Sequence, residues 1–404
     1  MNSTLYLDKK IVIFDSDDWG MPGIRDIDAF QRLKAKGNSQ LGQSDWDYYS
    51  LELPEDMETL YSVLNNHSDA FGFPPVFTCN FVVARPDYEK IKQSGFKEFH
   101  TLDLSQGFSG MWKNRDSLLS TYMEGITRGL VYPGYHGLCH FNYEAWLMAL
   151  QNGERDVLDC FEEQVSYIPS LRTKTICYDY LANVDPAGFL PLEAQEDKIK
   201  KGIEAFKKIF GFLPVVTTAP QYVWNQDTEK VWHKYGIRYI GAGNRVAGKV
   251  PSLRHRLGER NQWGMVYLAR NVVFEPRRRR SCQDAITEID FLFNAQQPAI
   301  IETHSINFHS SIKNFREKSL EGLDRLLYLI EKKHPEVIYL DSRQLGEILE
   351  KGYCYLRNGE RMEVKTHQPN IPYLGKFYFY KKKSALKRYM RKLSNYGQIG
   401  SGSS

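Results

Sequence analysis

Three carboxylates fall within four positions at Asp15-Ser-Asp-Asp-Trp-Gly20, directly after the β-type run Lys10-Ile-Val-Ile-Phe14. In a low-dielectric pocket such groups repel one another unless a cation or a proton compensates them. Strand alternation places Asp15 and Asp17 on one side and Asp18 on the other until the chain turns, so Asp17 and Asp18 can take different roles. The competing reading is an Asp-rich turn that caps a following helix.

The second pattern is His136-Gly-Leu-Cys-His140, after Tyr132-Pro-Gly-Tyr135. Two histidines at i, i+4 converge on one ion if this segment is the first turn of a helix. Asp18 supplies the missing carboxylate. Two His plus one carboxylate with open positions is a catalytic rather than a structural donor set, and the expected cofactor is a divalent metal, Zn²⁺ first. Six cysteines without CxxC spacing argue against a Cys-based zinc site and read as mostly buried thiols.

Two further runs end at chemistry. Ala299-Ile-Ile-Glu-Thr-His304 delivers a histidine, poised near neutrality as acid or base, to the end of a strand. Thr217-Thr-Ala-Pro-Gln-Tyr-Val-Trp-Asn225 follows Leu213 to Val216. Its aromatics Tyr222 and Trp224 suit the wall of a sugar site, and its backbone N–H groups suit an oxyanion.

Elements that position these residues can be read from the alternation of short β-type runs with helical stretches. Beyond Lys10 to Phe14, strands are expected at 75–78, 173–177, 213–216, 237–240, 264–268, 299–302 and 337–340. Amphipathic helices are expected from Ala145 to Leu150, Glu193 to Phe210 and Ser319 to Lys333, the last with a Leu320, Leu323, Leu326, Leu327, Ile330 stripe. Strands interleaved with helices imply an α/β fold with parallel strands and right-handed crossovers. In a (β/α) barrel, chemistry gathers where the loops after the strands converge, and the candidate residues sit there.

At 404 residues, 42% hydrophobic and 13% aromatic, the chain has the composition of a folded protein. Its formal charge of +4 conceals an asymmetry: residues 376–404 carry eight Lys or Arg and no acid, which leaves the preceding chain near −4. No nucleic-acid partner is expected for such a body. Leu386, Tyr389, Met390 and Leu393 with the surrounding basic residues read as a basic amphipathic helix, packed on the barrel or in peripheral contact with an anionic membrane. We expect a barrel over 1–350 and an extension over 351–404 whose end is flexible. No signal peptide or apolar run of membrane-spanning length is visible, which sets a cytoplasmic enzyme as the expectation.

Taken in order, the four motifs resemble those of the polysaccharide deacetylases, the nodulation-protein-B-like carbohydrate esterases of family four, over roughly residues 10–345. The resemblance implies a distorted (β/α) barrel of about seven or eight strands that removes acetyl groups from an N- or O-acetylated glycan or glycan precursor. It makes Asp17 the catalytic base, Asp18, His136 and His140 the metal ligands, and His304 the catalytic acid. Ala219-Pro220-Gln221-Tyr222 is similar to the third motif, with a backbone N–H near Tyr222 as oxyanion donor. Two departures stand out. Gly137 replaces the usual Ser or Thr, and Thr217 and Thr218 stand where an arginine normally orients the base. Arg270, after the strand ending at Leu268, is the candidate to replace it; His309 has no assigned role. Rival readings are a deacylase or deformylase of a lipid-linked sugar at a membrane surface, a metal-free glycosidase with two carboxylates, and a degenerate glycan-binding barrel.

Overall fold

A computed structural model describes residues 5–38, 41–106, 112–166, 168, 176, 178–184, 187–243, 255–278 and 280–367. Nine strands form its central sheet, and every pairing among them is parallel. They are β1 (Ile11–Trp19), β2 (Phe77–Phe81), β3 (Val131–Tyr135), β4 (Val216–Thr218), β5 (Tyr239–Ala242), β6 (Val266–Ala269), β7 (Val272–Val273), β8 (Ala299–His304) and β9 (Ile338–Tyr339). The spatial order is β6-β5-β4-β3-β2-β1-β8-β7, with β9 against the start of β1. Seven of these strands exceed two residues, which matches the expected distorted (β/α) barrel of seven or eight strands.

The sheet's two edges, β6 and β7, are joined by only Arg270 and Asn271. Three residue steps span at most about 11 Å. The edges are therefore brought together by covalent chain, and a two-residue seam takes the place of a ladder. Arg270 N–H donates to Ala242 O at 2.9 Å and Asn271 N–H to Ile300 O at 3.1 Å, so each side of the seam is tied to a neighbouring strand.

All nine residues of β1 are buried, as expected for a strand covered on both faces. Val12 and Phe14 pack outwards under the helices. Ile11 and Ile13 belong to an interior cluster with Ile300, Val216, Val266 and Leu268. Above that apolar floor the same inward column continues as Asp15 and Asp17, and on β8 as Glu302 and His304. The interior thus changes from apolar to ionic along the strands.

Around the sheet run α1 (Pro54–Asn65), α2 (Leu118–Thr127), α3 (Tyr143–Gln151), α4 (Leu192–Phe210), α5 (Cys282–Asn294), α6 (Arg316–Lys333) and α7 (Ser342–Lys351), among others. α6 buries the expected stripe of Leu320, Leu323, Leu326, Leu327 and Ile330, each side chain contributing roughly 1.5–3 kcal/mol when fully covered. α4 stops at Gly211, whose φ of 83° provides the left-handed cap. A hairpin, Tyr353–Tyr355 with Arg361–Glu363, buries Cys354, Leu356 and Met362 in the apolar floor. The first part of the expected extension is therefore packed on the barrel. Its basic helix, and the 173–177 strand apart from Ile176, lie outside the described residues. No helix among the described residues is long and apolar enough to cross a membrane.

Strand β3 was not among the sequence expectations. Pro133 and Gly134 conceal it, since both are depleted in strands. Gly134 is required there: a Cβ would stand 2.1 Å from Asn80 Oδ1 on β2.

Candidate active site

Asp18 lies where β1 slips its register against β2, between Ser16 and Trp19, and it adopts a left-handed φ of 72°. That turn separates it from Asp17. Its Oδ1 is 3.2 Å from both His136 Nε2 and His140 Nε2, and one donor atom from each residue falls within 4.8 Å of the other two. His136 follows β3 directly, and its Nδ1 lies 2.8 Å from Thr218 O. A carbonyl can only accept, so Nδ1 carries the proton and Nε2 presents a lone pair inwards. This donor chemistry fits a divalent cation.

The two histidines converge without sharing a helical turn, the condition that the sequence offered for it. Residues 136–140 form a loop ahead of α3, with Gly137 at φ 91° and His140 at φ 61°. A Cβ on Gly137 would meet Asp179 Oδ2 at 3.0 Å and Pro220 at 3.2 Å, so no serine or threonine fits without displacing them. The loop is braced instead by Ala84 N–H to Leu138 O at 2.9 Å. Beneath it lies the buried ion pair Asp179–Lys198, at 2.9 Å.

Asp17 is gripped by Arg270 in a bidentate pair, Nη1 to Oδ2 and Nη2 to Oδ1, both at 2.6 Å. Arg270 Nη2 also reaches Asp15 Oδ1 at 3.0 Å, and Nη1 donates to Tyr222 Oη at 2.6 Å. Asn80 Nδ2 bridges the two carboxylates, at 2.6 Å from Asp15 and 2.9 Å from Asp17. Burial pushes both carboxyls up. For Asp17 burial is the largest influence, but the charges of Arg270, His136 and His304 and the arginine hydrogen bond together outweigh it and the pKa falls; for Asp15 burial and the neighbouring Asp17 prevail and its pKa rises. The arginine of the seam thus contacts Asp17 directly, and its buried side chain is not part of the cleft lining.

Across the cleft, His304 Nδ1 meets Glu275 Oε1 at 2.5 Å, and Glu275 Oε2 accepts from Asn307 Nδ2 at 3.1 Å. Burial alone would lower the imidazole pKa; the charge and hydrogen bond of Glu275, with the charges of Asp18 and Asp17, together overcome it and raise it to about 9. The cleft between these groups holds about 350 Å³ and is lined by Asp17, Asp18, His136, His140, Tyr222 and His304, with Glu302 and Trp46 beside them.

One expectation for the loop after β4 is corrected. Trp224 does not wall the cleft: it is buried, donating Nε1–H to Glu229 Oε1 at 2.8 Å, because the turn at Gln221 and Tyr222 directs it into the core. The Tyr222 backbone N–H itself donates to Ala219 O at 3.0 Å, and its side chain lines the cleft. His309 lies behind the site, 3.4 Å from the buried Glu52, whose carboxylate accepts from Tyr122 Oη at 2.7 Å. Glu275, Asn80 and Trp46 were not singled out from sequence. Glu275 ends the β-type run Val272-Val-Phe-Glu, and Asn80 interrupts an apolar strand, so both left a signal.

Four of the eight non-glycine residues with positive φ among the described residues line this cleft: Asp18, His140, Gln221 and Tyr222.

Fold and site define a barrel hydrolase with an ionic cleft at the C-terminal ends of its strands. The family model for glycosyl hydrolase family 57 matches residues 166–371, half of the chain. The chain belongs to that family and is a carbohydrate-processing enzyme. The family match does not extend to the polysaccharide deacetylases that the motifs resemble. No curated protein sequence matches. Among solved structures, the 4-alpha-glucanotransferase of Thermococcus litoralis is 11% identical, with a TM-score of 0.43 over 85% of this chain and 40% of that one. A family 57 branching enzyme of Thermococcus kodakaraensis is 12% identical, with a TM-score of 0.44 over 85% and 71%. The peptidoglycan deacetylase of Bacillus subtilis is 10% identical, with a TM-score of 0.36 over 85% and 93%. The chain thus spans well under half of the glucanotransferase.

Proposed function

We propose that this enzyme removes acetyl groups from an N- or O-acetylated glycan in a metal-dependent hydrolysis. The observation that carries the reading is the convergence of Asp18, His136 and His140 within 4.8 Å, beside a carboxylate held ionised by Arg270. A bound divalent cation, Zn²⁺ by this donor set, supplies Lewis acidity towards a carbonyl and acidifies water. Asp17 is the group that accepts the proton of the attacking water. Its Oδ1 accepts from both Arg270 and Asn80, whereas Oδ2 retains a lone pair beyond the arginine contact. Arg270 and Asn80 fix the orientation of that carboxylate, and Asp15 balances the arginine charge. His304, kept cationic at neutral pH by Glu275, donates its Nε2 proton to the departing sugar nitrogen or oxygen.

The test is acetate release from acetylated oligosaccharides, paired with metal analysis of the protein. We expect turnover that a chelator abolishes and Zn²⁺ restores; undiminished turnover by metal-stripped protein would overturn the reading.

Membership of family 57 and the presence of Asp17 and Glu302 in one cleft favour a second reading, hydrolysis or transfer at a glycosidic bond. Such chemistry uses two carboxylates and no metal. It would release reducing ends instead of acetate and ignore the chelator. We further propose that 1–350 and 351–404 divide barrel from extension and that the basic segment of the latter meets an anionic membrane surface.

A further inference from the structure

The cleft wall beside His304 is cationic. Immediately after Glu275, a short helical turn spans Pro276–Arg278, closed by Arg278 N–H to Glu275 O at 2.8 Å. The Arg277 side chain is fully covered, its guanidinium 4.1 Å from the centre of the Trp46 ring and 3.2 Å from Glu275 Oε2. Arg278 lies over the same ring at 5.0 Å and lines the cleft together with Trp46 and His304. The edge of Trp46 meets the His304 ring, with centroids 5.0 Å apart. Two arginines and the catalytic imidazole are therefore grouped around one indole.

The acids nearest to them have other partners, among them Asp45, which pairs with Lys313 at 3.1 Å. Glu275 is shared by His304, Asn307 and Arg277. Asp47, the acid on the same side of the cleft, accepts from the Gly42 and Ser44 N–H groups at 3.0 Å each. The Arg278 residue is exposed, and its side chain has neither an ion pair nor a hydrogen bond among the described residues. A guanidinium without an ionic partner on a concave wall, held against an aromatic face, is a site for the oxygens of a carboxylate or phosphate. Because His304 faces the leaving group, the anion belongs to the leaving-group sugar.

We infer that the substrate is an acidic glycan, whose sugar on the leaving-group side bears a carboxylate or phosphate paired with Arg278. This rests on the reading of the cleft as a glycan site with His304 as acid. Arg277 acts through Trp46, whose ring it braces, and is a positioning residue.

The test uses the full chain loaded with Zn²⁺. Three matched oligosaccharides serve as probes: neutral N-acetylglucosamine oligomers, the same length with alternating glucuronate, and the same length carrying a 6-phosphate. Calorimetric affinity is measured at 50 and 500 mM salt, together with acetate release. The expected result is at least tenfold tighter binding of one acidic probe, weakened by salt, with the preference collapsing towards unity in Arg278→Gln and partly regained in Arg278→Lys. Equal affinity for neutral and acidic probes, or a preference that survives Arg278→Gln, would overturn it. Binding does not depend on turnover. Acidic preference without acetate release leaves this inference standing and defeats the deacetylase reading; equal binding and acetate release from all three does the reverse. The two acidic probes separate carboxylate from phosphate.

Discussion

His304 and Asp17 are register partners on the adjacent parallel strands β8 and β1, so their side chains leave the sheet on the same face, one strand spacing apart. The proposed acid and base are thereby delivered to one cleft by backbone pairing alone, each then held by its own partner, Glu275 or Arg270.

Removing the first partner shifts a pH limit. His304 serves as acid only while protonated, so activity is present below its pKa and lost as pH rises through about 9. Glu275→Gln deletes the charge that opposes burial. The alkaline limb of kcat should move towards or below the ordinary histidine value of about 6.5, read from a pH–rate profile. An unmoved limb would remove His304 from the role of acid.

Removing the second partner affects stability. Arg270→Met leaves Asp15 and Asp17 buried together without a counter-charge, a loss of about 3–5 kcal/mol. The sign with pH can be stated. In the native protein Asp17 is depressed, so its contribution is present above the unfolded carboxylate value and lost as pH falls through the depressed one. In the variant burial and mutual repulsion raise the carboxyl pKa values. Urea unfolding should therefore find the variant weaker at pH 8 than at pH 5.

Zn²⁺ should stabilise the folded chain. A ligand bound only by the native state adds about 4 kcal/mol at a thousand times its Kd. Differential scanning fluorimetry should show a Zn²⁺-dependent rise in Tm for the native sequence and none for Asp18→Ala or His140→Ala. Asp17→Asn should keep the rise while losing about 10²–10⁴-fold in kcat. Loss of the rise in Asp17→Asn would mean that the base and ligand roles are misassigned.

Two glycines permit contacts that hold the base. A Cβ at Gly134 would stand 2.1 Å from Asn80 Oδ1, and one at Gly241 2.1 Å from Thr218 Oγ1. Gly134→Ala should displace Asn80 from Asp15 and Asp17, cost about 1–3 kcal/mol by overpacking, and lower kcat with metal content unchanged. Normal kcat in a folded Gly134→Ala protein would show that Asn80 does not orient the base.

That Asp15 and Asp17 share a face was legible from strand alternation, a local property; Asp18 is set apart from them by a left-handed turn at a register slip, which alternation does not reveal. The spacing of His136 and His140 was legible, but the helical turn on which their convergence was conditioned is not the device that brings them together. Left-handed backbone at Gly137 and His140 brings the rings together from a loop, and i, i+4 spacing cannot distinguish the two. Arg270 was noticed for its position after a strand; its grip on Asp15 and Asp17 depends on the seam between β6 and β7, which only the closed barrel creates. Trp224 misled because an aromatic residue after a strand carries no sign of which way it faces. Its partner Glu229, a buried carboxylate that also accepts from Tyr267 Oη at 2.6 Å, lies on the following helix, Gln226–Lys234. Glu275 was passed over because its meaning lies in a contact with His304, 29 residues away.

Left-handed conformations at Asp18, His140, Gln221 and Tyr222 each cost on the order of 1–3 kcal/mol relative to relaxed backbone. Glycine at such positions relieves that cost. A library of this protein sorted only for heat resistance would therefore enrich Gly at 18 and 140, the two changes that dismantle the donor cluster. Selection for endurance and selection for turnover pull these positions in opposite directions, so the retention of bulky side chains at four left-handed sites is itself a record of which one has prevailed.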